Sequence, residues 1–225
     1  MIRLRTVRRL ALAALMGSCP VILSGCVIGA LVGGMAESYQ ETASVERPAQ
    51  YLGLQDHTFA LIVSADRSIQ AEFQGLVSTL TIQMTNELAV PERTNALGVV
   101  PGPTVLQFQY DHPDWYAWSY PQLAEELGVD RLIMVDLYDF RLYEVGNVHL
   151  WDGRAAARVG VLETDGGIPG DFSFTREIQV RFPDQSGYGP SEIPARAIRA
   201  QLSKRLIDRV TWLFYDHMEK YRPDY

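Results

Sequence analysis

Cysteine is nearly absent. The 225-residue chain has two, Cys19 and Cys26, so nothing beyond residue 26 can form a disulfide or a thiolate metal site. Paired histidines are missing too. His57, His112, His149 and His217 show no H-x-x-x-H spacing, so no metal site is expected and each reads as a surface or strand-end residue. There is no G-x-S-x-G elbow, no phosphate-cradling P-loop and no dinucleotide fingerprint. No catalytic residue and no cofactor are therefore assigned. Asp165-Gly166-Gly167 reads as a turn, and the remaining ligands of a calcium loop are missing. A basic excess is absent as well: 20 Lys and Arg face 27 Asp and Glu, a formal charge of −7. Phosphate backbones are held by Lys and Arg, so nucleic acid is not an expected partner, and anionic lipid headgroups offer no attraction. Internal repeats and low-complexity tracts are lacking. So is an unbroken run of about 20 apolar residues, the length a membrane-spanning helix needs.

What is present begins at the N-terminus. Arg3, Arg5, Arg8 and Arg9 come first, with no acidic residue before Glu37. Leu10 to Leu23 is mostly apolar, broken by Gly17, Ser18 and Pro20, and small residues Ser24 and Gly25 precede Cys26. That is the layout of a secretory signal. The stretch L-S-G-C, Leu23 to Cys26, resembles the bacterial lipobox, Leu-(Ala/Ser)-(Gly/Ala)-Cys. The resemblance implies cleavage before Cys26 and a diacylglycerol thioether on it. Each buried acyl CH2 contributes about 0.8 kcal/mol, so several chains on one residue hold firmly. Cys26 is followed by Val27 rather than the Asp that retains enteric lipoproteins at the inner membrane, which favours the outer membrane.

The expected organisation is a signal peptide over residues 1–25, a lipid anchor and flexible tether over 26–55, and a periplasmic α/β domain over 56–225. Removing residues 1–25 leaves 16 basic residues against 27 acidic ones, a charge of −11. Val27 to Met35 is apolar, with Gly29 and Gly33 at G-x-x-x-G spacing, but it is too short to span and reads as tether. Glu37 to Gln50 is polar and reads as linker.

Within the domain, His57 to Val63 is an apolar, β-branched run that reads as a buried strand. Ser68 to Leu88 has helical spacing at Ile69, Phe73, Leu76, Val77, Leu80, Met84 and Leu88; Val90-Pro91 marks its end. Leu97 to Val100 is a short strand, and Pro101-Gly102-Pro103 turns into a helix near Thr104 to Tyr110. A helix follows Ser119, with a capping box to Gln122 and Gly128 at its C-terminal left-handed position. Asp130 to Tyr143 begins as a continuous apolar strand and then alternates. His149 to Glu163 is a long strand joined to it by a hairpin at Val145-Gly146-Asn147. Asp171 to Phe182 is a fifth strand. The last helix buries Ile198, Leu202, Leu206, Ile207, Val210, Leu213 and Phe214 on one face. The fold class is thus α/β (α+β): a mixed, mainly antiparallel five-stranded sheet carrying helices, in the order β-α-β-α-α-β-β-β-α.

That order, with G-V-V-P-G-P-T-V entering a short helix and P-Q-L-A-E-E-L-G-V-D-R-L-I-M-V-D-L stepping from helix to strand through Gly128-Val129-Asp130, is similar to a group of periplasmic α/β domains. The group comprises the curli-secretion lipoprotein, auxiliary lipoproteins of ABC-type lipid transporters and the N-terminal domain of the TolB translocation protein. The resemblance spans residues 57–219 and implies a binding or assembly role with no catalytic residues to transfer.

Two features remain as candidates. Asp136 and Asp139 lie three apart in one strand, so they are expected on opposite faces. Asp136 shares parity with Leu132, Met134, Tyr138 and Phe140, and is expected to be partly buried and paired with Arg154 or Arg158. Tyr110 to Tyr120 (YDHPDWYAWSY) is unusually aromatic, and such rings favour surfaces that are half apolar and half wet. Trp115, Tyr116 and Trp118 are the candidate partner surface, with most rings covering the core edge and at least one, Trp115 or Trp118, left exposed. The expected protein is non-enzymatic, anchored to the membrane through acylated Cys26, facing the periplasm from the outer membrane, and binding another envelope protein or a cell-wall component. A ring-forming secretion channel is the alternative, because the hairpin over residues 130–163 exceeds the roughly 9–11 residues of a spanning strand. An envelope hydrolase is a third reading.

Overall fold

The computed structural model describes residues 44–166 and 170–220. Cys26, the expected signal peptide over 1–25 and residues 26–43 of the expected tether lie outside the described residues. The strands are β1 (Ser44–Arg47), β2 (Thr58–Ala65), β3 (Gly98–Val99), β4 (Arg131–Glu144), β5 (Asn147–Glu163), β6 (Phe172–Phe182) and β7 (His217–Lys220). The helices are α1 (Arg67–Glu72), α2 (Leu76–Leu88), α3 (Pro91–Thr94), α4 (Gly102–Asp111), α5 (Tyr120–Leu127) and α6 (Ala195–Thr211), with a 3-10 turn at Trp115–Ala117. β1 and β7 form a two-stranded ladder of their own.

The main sheet has the order β3-β2-β4-β5-β6. β2 pairs in parallel with β3 and with β4, while β4–β5 and β5–β6 are antiparallel. This is the expected mixed five-stranded α+β sheet. Parallel neighbours need crossovers, and helices supply them. From β2 the chain crosses through α1 and α2 to β3 on one side. It then returns through α4 and α5 to β4 on the other side. Phe59, Leu61 and Val63 of β2 face the larger core with Leu80, Met84 and Leu88 of α2 and Ile198, Leu202 and Leu206 of α6. Ala60 and Ile62 face a smaller core with Val105 and Phe108 of α4 and Leu123 of α5. Each fully buried Leu or Phe contributes about 1.5–3 kcal/mol, which is why β2, covered on both faces, reads as an unbroken apolar run.

β4 changes character along its length for the same reason. Arg131 to Val135 is buried throughout, and alternation starts at Asp136. One inserted residue then changes the phase. Leu137 pairs with Ala157 and Asp139 with Ala156, leaving Tyr138 as a β-bulge. Phe140 and Leu142 therefore return to the larger core, and Asp139 joins Asp136 on the opposite face. The expectation that the two aspartates point to different faces is corrected by this bulge, since strict alternation assumes no extra residue.

Three further differences have local causes. The helix expected over Ser68–Leu88 is two helices, α1 and α2, because Gly75 takes φ +74°, a conformation open to glycine at little cost. The apolar rhythm runs through the break, with Phe73 and Leu76 both in the larger core. Pro91 opens the one-turn α3 instead of simply ending the preceding helix, as proline's fixed φ suits a first helical position. Finally, the expected tether over 26–55 is structured over its last residues: Ser44–Arg47 is a strand, and Tyr51 and Leu54 lie in the larger core. The backbone N–H groups of Gln50 and Tyr51 both donate to the Leu213 carbonyl at 2.9 Å. No helix among the described residues is long and apolar enough to cross a membrane.

Candidate functional site: an aromatic groove at the end of β2

In open α/β sheets, ligands are received outside the carboxyl ends of parallel strands, where consecutive connections leave on opposite faces. β2 is that strand here, and its last residues are Val63, Ser64 and Ala65. Two adjoining cavities open there. One, of about 270 Å³, is lined by Trp115, Tyr116, Trp118, Tyr120, Phe172 and the floor residues Ser64, Met134, Asp136 and Arg158. The other, of about 450 Å³, shares Ser64, Trp115 and Tyr116 and adds Arg67, Gln70 and Gln109. The 3-10 turn Trp115–Ala117 thus stands as a wall between two halves of one groove.

The wall is held by local chemistry. Trp118 caps the 3-10 turn, donates Nε1–H to Asp114 at 3.3 Å, and packs edge-on against Phe108 at 5.7 Å and His112 at 5.1 Å. Ser119 then opens α5 through the expected capping box: its N–H donates to Gln122 Oε1 at 3.0 Å. Gly128 closes the helix at φ +66°. Tyr120 lies against Phe172 at 4.7 Å. Phe172 in turn crosses β5 over Gly160, where a Cβ would come within 2.8 Å of the ring, so only glycine lets that side of the groove close.

The candidate residues Trp115, Tyr116 and Trp118 come together in this groove, but not as equals. Trp115 and Trp118 are half-buried against the smaller core. Tyr116 is 71 % exposed and Tyr110 82 %. The free rings of the stretch are therefore tyrosines, where a tryptophan is expected from the sequence.

The floor is a polar row running straight across the sheet. Ser64 is the register partner of Asp136, Asp136 of Arg158, and Arg158 of Glu177. Ser64 Oγ donates to Asp136 Oδ1 at 3.1 Å, and Arg158 Nη2 donates to Glu177 Oε1 at 3.3 Å. Asp136 is exposed rather than partly buried, and Arg158 is its register partner across β4–β5 while forming its ion pair with Glu177. Arg154 pairs instead with Asp152 at 3.0 Å. The sequence could not have placed Arg158 and Ser64 beside the aromatic stretch, because sheet register decides that.

Shifted titrating groups lie at the opposite end of the sheet. Asp130 accepts from the Thr58 N–H at 3.0 Å and the Thr58 hydroxyl at 2.8 Å, which hold its carboxyl below the usual value. Arg131, buried, pairs with Asp165 and depresses that carboxyl too. Burial, then a 2.8 Å hydrogen bond to Glu163, pushes the Tyr51 phenol up. Arg131 also donates to Gly53 O at 3.0 Å and to His57 Nε2 at 2.9 Å, which fixes the imidazole proton on Nδ1. These bonds join β2, β4 and the segment before β2, a structural clamp. Among the described residues no group of three His, Cys, Asp or Glu is placed to hold a metal ion.

No family model matches the chain, and no curated protein matches it. Solved structures do. Lipoprotein GNA1162 from Neisseria meningitidis aligns at 9 % identity with a TM-score of 0.42, covering 68 % of this chain and 96 % of that one. A PelC dodecamer from Paraburkholderia phytofirmans aligns at 8 % identity and TM-score 0.45, covering 77 % and 99 %. Protein XCC0632 from Xanthomonas campestris aligns at 10 % identity and TM-score 0.47, covering 75 % and 87 %. These are bacterial proteins, one of them a lipoprotein, and at such scores and identities the likeness carries no argument about function.

Proposed function

We propose that the protein is a lipid-anchored, non-catalytic accessory protein of the bacterial cell envelope, held at the outer membrane through acylated Cys26 and facing the periplasm. Its domain captures a cell-wall component or another envelope protein in the groove divided by Trp115 and Tyr116. The observation that carries this reading is the meeting of exposed and half-exposed rings with the in-register polar row Ser64–Asp136–Arg158 at the carboxyl end of β2. Rings supply apolar contact area at low entropic cost, and a few fixed polar groups supply orientation. A cell-wall glycan suits this mixture, since a sugar ring offers an apolar C–H face and hydroxyls that both donate and accept.

The channel alternative meets a physical obstacle in the hairpin it needs. One face of β4–β5 packs in the larger core beneath α6, and the other carries Asp136, Asp139, Arg141, Arg154 and Arg158. An Arg facing lipid at the bilayer midplane costs about 2–4 kcal/mol, so three leave no lipid-facing surface. The hydrolase reading has Asp136 alone beside Ser64: among the described residues neither cavity is lined by a histidine, a cysteine or a second carboxylate to complete a catalytic set.

Two experiments test the proposal. Cys26→Ser should move the protein out of the membrane fraction; unchanged fractionation would remove the anchor. Detergent-extracted full-length protein should co-sediment with isolated cell wall, and Tyr116→Ala should weaken that at unchanged melting temperature. Absence of co-sedimentation together with a native mass of a lone monomer would sink the capture role.

A further inference from the structure

The far part of the β4–β5–β6 face carries an arrangement that the groove does not use. Arg141 of β4 is the register partner of Arg154 of β5, and Arg154 of Arg181 of β6. Neighbouring strands lie about 4.8 Å apart, so three guanidinium side chains rise from one face within about 10 Å of each other. Like charges directly opposite one another destabilise a sheet. Two carboxylates offset part of this. Asp152 is shared, with Arg154 Nη2 at 3.0 Å and Arg181 Nε at 2.8 Å. Asp139 lies 4.0 Å from Arg141 Nε, beyond hydrogen-bonding distance. That Nε is buried and has no hydrogen-bond partner among the described residues. Three positive groups against two negative ones leave a local positive surplus on a chain whose overall charge is −7.

The row lines an open cavity of about 410 Å³ together with Tyr138, Ala156 and Gln179. Among the described residues its lining comes from β4, β5 and β6 alone, and Tyr138, Arg154, Gln179 and Arg181 are exposed to solvent there. The bulge at Tyr138 is what brings Asp139 and Arg141 to this face at all.

We propose that the arginine row is a binding site for a phosphate group, as a free anion or as part of a phosphate ester. Guanidinium forks bind phosphate oxygens in parallel pairs of charge-assisted hydrogen bonds. A carboxylate is satisfied by one fork; a tetrahedral phosphate presents enough oxygens to engage two or three. The Tyr138 hydroxyl and Gln179 amide add neutral donors at the rim. Bound phosphate supplies the Arg141 guanidinium with the hydrogen-bond acceptors that Asp139, an ion-pair partner at 4.0 Å, does not, and it offsets the repulsion along the row. The site stands on the sheet register and is independent of the groove's ligand.

The test uses full-length protein in non-ionic detergent, titrated with inorganic phosphate and separately with micelles doped with phosphatidic acid, at constant ionic strength. Phosphate should bind and raise the melting temperature. Arg141→Gln and Arg181→Gln should each weaken binding about tenfold or more and lose the stabilisation, while melting in phosphate-free buffer stays equal to wild type or rises. Binding of inorganic phosphate with that loss assigns the site to the free group. Binding of the doped micelles alone, with the same loss, assigns it to a lipid headgroup. Should Arg141→Gln not fold, Arg181→Gln, whose side chain is half exposed, gives the same readout. No binding of either probe, binding unchanged in the variants, or a lower melting temperature for both variants without phosphate would overturn the proposal.

Discussion

Ser64 and Asp136 face each other across the parallel β2–β4 register, and the serine hydroxyl donates to the carboxylate at 3.1 Å. The contact fixes the floor of the groove while leaving Asp136 open to solvent. Asp136→Ala should therefore change unfolding free energy by no more than about 0.5 kcal/mol, as exposed substitutions do. Its effect should fall on ligand capture. Urea unfolding and cell-wall co-sedimentation on the same variant separate the two; a large stability loss with capture intact would make Asp136 a structural residue.

The two exposure classes in the aromatic stretch predict two kinds of variant. Trp118→Ala removes a ring packed against Phe108 and His112. It should cost about 2 kcal/mol, below the 3–5 of a fully buried ring. Tyr116→Ala should cost almost nothing in stability. Equal losses from the two, measured by denaturant titration, would contradict the burial pattern.

Gly102 opens α4 against the backbone of α2, where an added Cβ would lie 2.9 Å from Ile82 Cα. Replacing glycine by alanine within a helix ordinarily stabilises by up to about 1 kcal/mol. Here overpacking dominates, because the obstacle is backbone and cannot turn aside, and Gly102→Ala should destabilise by about 1–3 kcal/mol. Thermal melting of the single variant decides the sign.

Acid should loosen the clamp at the start of β4. Asp130 and Asp165 have carboxyls held below the usual carboxylate value, by the hydrogen bonds from Thr58 and from Arg131 respectively. A depressed carboxyl contributes stability that is complete above its unfolded value and lost as pH falls through the folded one. The melting temperature should hold above about pH 4 and fall below it. Asp130→Asn should flatten that fall; an unchanged acid profile would place the sensitivity elsewhere.

The sheet was largely legible because its strands carry their burial in their composition. β2, β4, β5 and β6 lie within two residues of where alternation and β-branched runs place them. Helix α5 was legible through Ser119, Gln122 and Gly128, whose roles are local. The break at Gly75 was not, because Phe73, Leu76 and Leu80 keep a helical rhythm across it and a lone glycine is a weak signal. Nor were the polar row Ser64–Asp136–Arg158–Glu177 and the row Arg141–Arg154–Arg181. Their members are scattered along the chain and meet only through strand register, which periodicity does not encode. The aromatic stretch stood out by composition, yet which ring is free depends on packing against Phe108 and Phe172.

The bulge at Tyr138 gives the stretches of β4 on its two sides opposite phase. Flattening it with the residue kept would turn Phe140 and Leu142 outward and drive Asp139 and Arg141 into the oil of the larger core, inverting the strand up to the next register shift beyond Arg141. Point substitutions at Tyr138 cost only an exposed ring. The position is thus tolerant of spelling and intolerant of straightening.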